Sequence, residues 1–145
     1  MIGRGDWAVD NDLMKAMQVS ASGLKAQTTR MRVIAENLAN SASEASSPNE
    51  DPYRRKTVTF ANVLDRTLDV EMVEVKKVEF DKADFGTRFD PGHPGADANG
   101  YVKTTNVNGM VEAMDMGQAQ RTYQANLNVI DAIKSMSVRT LEILR

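Results

Sequence analysis

Each end of this chain carries a long amphipathic segment, at about residues 13–40 and 108–145, and each is too apolar on one face to stand alone in water. In the first, Leu13, Met17, Leu24, Met31, Ile34 and Leu38 follow the alternation of three and four that gathers side chains on one stripe of a helix, with Ser20 and Gln27 interrupting the row. In the second, Met116, Tyr123, Ile130 and Leu144 share a row, with Leu127 and Leu141 beside it. Two arrangements satisfy such stripes. They can face one another as antiparallel helices of a bundle, or form a terminal coiled coil whose packing is completed only by other subunits.

Helices of that length, ~45 Å each, leave room for only a small body between them in 145 residues. Residues 1–12 read as a flexible lead in which Asp10, Asn11 and Asp12 can cap a helix start, and Asn40 suits the left-handed turn that ends one. Residues 41–57 are small, polar and punctuated by Pro48 and Pro52, the composition of a mobile linker. Residues 58–107 shift toward a period of two. Val58 and Phe60, then Val70, Met72, Val73 and Val75, then Val78 and Phe80 form short runs suited to a small antiparallel sheet. Residues 61–69 fit a helical turn or a strand equally well. From Phe89 to Val102, two prolines and three glycines predict a structured loop without a regular ladder, and Asn108-Gly109 predicts the turn that opens the last helix. The predicted fold class is α+β, with long N- and C-terminal helices forming a coiled coil and a small antiparallel β region between them.

Little in the chain points to chemistry. Without cysteine there are no disulfides, thiolate metal sites or cysteine nucleophiles. His93 is the single histidine, and one ring between Gly92 and Pro94 reads as a hydrogen-bonding spacer rather than a base or ligand. Asp90, Asp97, Asn99 and Gly100 do not have the spacing of a calcium loop, and no glycine-rich phosphate motif occurs. No catalytic residue, metal site, cofactor or small-molecule substrate is expected; a pocket under the Asp90–Gly100 loop is the weaker alternative. A net charge of −2 gives no reason to expect nucleic acid. The triplet Arg54-Arg55-Lys56 reads as a solvated or subunit-facing patch. Nine methionines, most in the end segments, serve either as core filler or as a surface adaptable to several neighbours. No window is apolar enough to span a membrane and the first residues lack a cleavable signal, so the chain stays in the cytoplasm or leaves by a route needing no such peptide.

The stretch from Met17 to Asn40, with Ser22-Gly23, Ala26-Gln27, Arg30 and Asn37-Leu38-Ala39-Asn40, resembles the N-terminal signature of the axial proteins of the bacterial flagellum, the family of rod, hook and filament subunits. Arg121-Thr122-Tyr123-Gln124-Ala125-Asn126-Leu127, followed by Ala132-Ile133-Lys134-Ser135-Met136, resembles its C-terminal counterpart. Pro52-Tyr53-Arg54-Arg55-Lys56 and Asp90-Pro91-Gly92-His93-Pro94 bring the likeness nearer to the rod subunits than to their relatives. Glu36 departs from the pattern, standing where the family has a small or amide residue. The resemblance implies a nonenzymatic subunit of the proximal rod, secreted through the flagellar type III export apparatus and stacked with copies of itself and other rod proteins around a channel. It further implies that the terminal helices form the inner coiled coil.

Overall fold

In the computed structural model, residues 6–143 are described, with side chains over residues 11–142. The fold is α+β. Helix α1 (Asp6–Ala39) and helix α2 (Gly109–Ile143) bracket four strands: β1 (Lys56–Asp65), β2 (Val70–Phe80), β3 (Gly86–Phe89) and β4 (Tyr101–Thr104). Two separate two-stranded sheets result, β1 with β2 and β3 with β4, rather than one small sheet.

Helix α1 starts earlier than the expected residue 13, so the described part of the proposed flexible lead, residues 6–12, is helical. No glycine or proline interrupts that stretch. Its end also differs from expectation. Asn40 does not take the left-handed conformation, which among described non-glycine residues belongs to Asp69 in the β1–β2 turn. Instead the Asn40 amide folds back, its Nδ2 donating to the Glu36 carbonyl at 2.8 Å, and the Ser41 hydroxyl donates to the Leu38 carbonyl. At the start of α2, where a turn was expected, Asn108 is the N-cap: its Oδ1 accepts from the N–H groups of Met110 and Val111.

Among the described residues the backbone packs as two compact units: one of 6–29, 60–76 and 119–143, the other of Arg30–Thr59 and Lys77–Gln118. In the first unit, residues 61–65 resolve as strand, and Val73 N–H donates to Ser22 Oγ at 3.2 Å, joining β2 to α1.

In the second unit, β3 pairs antiparallel with β4, Gly86 opposite Thr104 and Phe89 opposite Tyr101. The Asp90–Gly100 loop between them is tied by Asp97, whose Oδ1 accepts from Asn99 and Tyr101 N–H, and it closes through Gly100 at a φ of 83°. The serine-rich stretch expected to be mobile is pinned: Glu44 bridges Thr104, Ala45 N–H donates to the Lys103 carbonyl and Thr105 N–H to the Ser43 carbonyl. Ala45 and Gly95 lie so close that a Cβ on Gly95 would collide with the Ala45 carbonyl oxygen. Small residues here permit backbone contact, which composition alone reads as flexibility. His93 Nδ1 accepts from Gly95 N–H at 3.0 Å, and its Nε2 lies 3.6 Å from Glu44 Oε2.

Candidate assembly site

The helices pair along a seam unlike either predicted stripe. In the second unit Asn37 meets Glu112 and Arg30 meets Asp115, so α1 and α2 run antiparallel there. In the first unit Gly23 faces Asn126, so closely that a Cβ on Gly23 would lie 2.8 Å from the Asn126 amide nitrogen. The residues buried along α1 are Ser20, Ala26, Val33, Ile34 and Asn37; along α2 they are Glu112, Ala119 and Ile133. Glu112, Ala119, Asn126 and Ile133 recur every seven residues, the period of a helix-pair seam, but the row is small and polar rather than leucine-rich.

At one end of that seam lies a buried polar cluster. Asn37 and Glu112 are each only 1% exposed. The Asn37 amide donates to the Lys56 carbonyl at 2.8 Å and to Glu112 Oε2 at 3.0 Å, while its Oδ1 accepts from Tyr53 hydroxyl and Lys56 N–H, both at 2.9 Å. Both donors and both lone pairs of the amide are thereby engaged. Arg55 Nε donates to Glu112 Oε1 at 2.6 Å and Nη1 reaches Asp81 Oδ2 at 3.2 Å. Arg54 donates to the carbonyls of Asp81 and Ala83, and its guanidinium sits 4.1 Å from the Phe85 ring centre. Lys56 pairs with Glu36 at 2.9 Å, which gives the atypical Glu36 a role inside the chain. Arg55 and Lys56 are thus paired with carboxylates within the chain, and Arg54 is held by carbonyls and the Phe85 ring, so none of the three is simply solvated.

Ionisation follows this geometry. The Lys56 ammonium holds the Glu36 carboxyl below its usual range, Arg32 assisting, and Glu36 in turn raises Lys56. Asp81 is lowered by the Ala83 N–H and then by Arg55. Burial opposes charge on Arg55, but the Glu112 and Asp81 carboxylates outweigh it and raise its pKa. Desolvation raises the Tyr53 phenol, keeping it a neutral donor to Asn37.

The predicted stripe residues take a different place. Of them Ile34 alone is buried; Leu13, Met17, Leu24, Met31, Met116, Tyr123, Leu127 and Ile130 are half-buried. Leu38 and Leu141 are 39% and 68% exposed, and Leu144 lies outside the described residues. At ~100° per residue, each stripe is rotated in the same sense from its own seam, by roughly 100° in α1 and roughly 40° in the main row of α2. Since the helices are antiparallel, rotation in the same sense brings both stripes toward one side of the pair; in the first unit that side carries Leu13, Met17, Leu24, Tyr123, Leu127 and Ile130. The motif residues divide accordingly. Asn37 is buried and Asn40, Tyr123 and Asn126 are half-buried, whereas Leu38, Ala39, Gln124 and Ala125 are exposed, Gln124 bonding Asn128. Met110 and Met114 are also largely exposed, favouring the adaptable surface over the core filler for these methionines.

An open groove of about 460 Å³ lies in the first unit between α1 and β2, lined by Gln18, Ser22, Lys25 and Met72–Val75 among others, and not under the Asp90–Gly100 loop. Among the described residues no three His, Asp or Glu side chains converge as a metal site, and no helix is long and apolar enough to cross a membrane.

No catalytic or metal-binding constellation stands out among the described residues, and comparison with known proteins gives the class of the chain. The family profile described as flagella basal body rod protein matches residues 17–41, and that of the C-terminal region of the flagellar basal body rod FlgEFG proteins matches residues 98–143. The flagellar basal-body rod protein FlgC of Agrobacterium fabrum is 47% identical over 92% of this chain and 96% of its own. The FlgC proteins of Salmonella typhimurium and Bacillus subtilis are 39% and 36% identical, covering 89% and 88% of this chain and 96% and 95% of theirs. The chain belongs to the FlgC family of flagellar basal-body rod proteins, and it is a structural subunit of that rod.

Proposed function

We propose that the chain is a proximal rod subunit that assembles helically, through the shared apolar side of its α1–α2 pair, with copies of itself and with other rod proteins. The observation that carries this reading is the division of labour in the helices. Small and polar side chains pair them, while Leu13, Met17, Leu24, Leu127 and Ile130 stay partly exposed. Docking that covers what remains exposed of such side chains, at most about a third of each, contributes ~0.5 kcal/mol each before the cost of ordering. One patch meeting a different patch on the next subunit gives a heterologous contact, which grows as an open helix when its rotation does not close. In the assembly the terminal helices complete a coiled coil and line the export channel. The chain reaches that place through the flagellar type III apparatus, without signal cleavage, and takes no cofactor, nucleic acid or small-molecule substrate.

The test replaces Leu24 or Leu127 with Asp in a strain carrying only the mutant gene. Either carboxylate must lose its water on docking without gaining a partner, at several kcal/mol. Export should continue while basal-body yield and swimming collapse. Normal swimming with either variant would show that this side of the helix pair meets no neighbour.

A further inference from the structure

We propose that the polar and glycine positions of the α1–α2 seam are specificity determinants: Gly23 with Asn126, Arg30 with Asp115 and Asn37 with Glu112 fix the register of the antiparallel pair. Through that register they align the apolar stripes offered to neighbouring subunits. This deepens the assembly reading above and rests on it.

The reasoning starts from what an ordinary seam would do. A row of leucines every seven residues is nearly as well packed after a slip of one heptad, because each knob finds an equivalent hole. The observed seam has no such tolerance. Glu112 is 1% exposed and receives hydrogen bonds from Arg55 Nε at 2.6 Å and Asn37 Nδ2 at 3.0 Å. A slip of α2 in either direction moves it ~10 Å, one heptad of rise, and strips a buried carboxylate of both donors. The same slip takes Asn126 away from Gly23. One direction brings Ile133 over the glycine, and the other leaves the Asn126 amide against Ala16. Gly23 has no Cβ because the space is filled by Asn126, whose amide carbon would lie 3.2 Å from one. Buried polar partners that stabilise one pairing while penalising its neighbours are the known device for specifying helix register.

Four of the six residues, Gly23, Arg30, Asn37 and Asn126, fall in the sequence motifs, yet none belongs to an apolar stripe. Their role in the seam accounts for their place in those motifs without any contact to a neighbouring subunit.

The experiment uses the full chain, which has no native cysteine, with spin labels on Cys introduced at the exposed positions Thr28 and Gln120. Interspin distance reports register; complementation of a deletion strain reports assembly. Asn126→Leu is nearly isosteric and removes the amide. Gly23→Ala forces Asn126 aside, and Gly23→Ala/Asn126→Ala reopens the space. Wild-type seam should give a single distance. Gly23→Ala and Asn126→Leu should each add a second population at a distance longer by a few Å, since an axial slip of roughly 10 Å adds to the lateral separation of labels that start level, and should lower basal-body yield at least tenfold; Gly23→Ala/Asn126→Ala should recover the single distance and most of the yield. A single unshifted distance in both Gly23→Ala and Asn126→Leu would overturn the register proposal, whatever happens to assembly. A shifted register with full basal-body yield would instead overturn the assembly reading on which it rests. Circular dichroism of each labelled variant verifies that helix content is retained, and Asn126→Leu, which adds no steric conflict at Gly23, keeps the test valid if Gly23→Ala fails to fold.

Discussion

Truncating Glu112 to Ala removes a carboxylate that is almost wholly buried and serves three segments at once. Arg55 loses its shortest contact, 2.6 Å, but keeps Asp81 at 3.2 Å and Asp115 at 3.9 Å. Breaking a buried pair typically costs ~3–5 kcal/mol, and the surviving partners place this case toward the lower end. Asn37 loses one of four hydrogen bonds, worth ~1 kcal/mol, since the Lys56 carbonyl still accepts from its amide. The sum, ~4 kcal/mol, corresponds to a fall in melting temperature of roughly 10–15 °C for a domain of this size. Thermal unfolding followed by far-ultraviolet circular dichroism measures it, with Glu112→Gln as the companion. That variant retains an acceptor for Arg55 but lacks the charge, and it should fall about half as far. A loss below ~1 kcal/mol in Glu112→Ala would refute the reasoning, because it would mean that water reaches Arg55 and Asn37 as readily as the carboxylate does.

Gly95→Ala should cost ~2 kcal/mol or more by driving a methyl into the Ala45 carbonyl, and should raise amide exchange at Ala45 and Thr105; unchanged exchange would show that the loop can yield. His93→Ala should be mild, ~1 kcal/mol, with swimming retained, since the ring supplies one acceptor to Gly95 N–H; complete loss of motility with normal export would assign the Asp90–Gly100 loop a binding role. Glu36 and Asp81 have depressed pKa values in the folded chain, so the stability they contribute is present above their ordinary values of 4.5 and 3.8 and is lost as pH falls through the lower folded values. A melting temperature that is flat from pH 7 to 5 and declines below about 4, less steeply in Glu36→Gln, is the expected profile. An unaltered slope in that variant would remove the Lys56 pair from the account.

Both helices, their order and the position of the small β region were legible because apolar periodicity is a local property of the chain. The seam was not. Apolar patterning looks for leucine and methionine, and here the helices meet through Gly23 with Asn126, Arg30 with Asp115 and Asn37 with Glu112, residues that such a reading assigns to the polar or neutral face. One signal was available: Glu112, Ala119, Asn126 and Ile133 repeat every seven residues on the helix that carries the C-terminal motif. The cationic run at Arg54–Lys56 hid its pairing for a similar reason. Its partners Glu36, Asp81 and Glu112 lie far away in the chain, and only tertiary structure brings opposite charges together. The linker was misjudged because small residues signal either freedom or close approach, and Ala45 against Gly95 is the second case.

Under the proposed assembly, the residues that hold the helices together, Gly23, Asn37 and Glu112 among them, are largely different from those the subunit shows to others. Substitutions on the Leu24 and Leu127 side can then drift to suit a changed neighbour while Gly23, Asn37 and Glu112 hold the subunit's own architecture constant. A rod made of several related proteins benefits from that separation: each subunit type can diverge at its contacts, and so take its own position in the stack, without renegotiating how it folds.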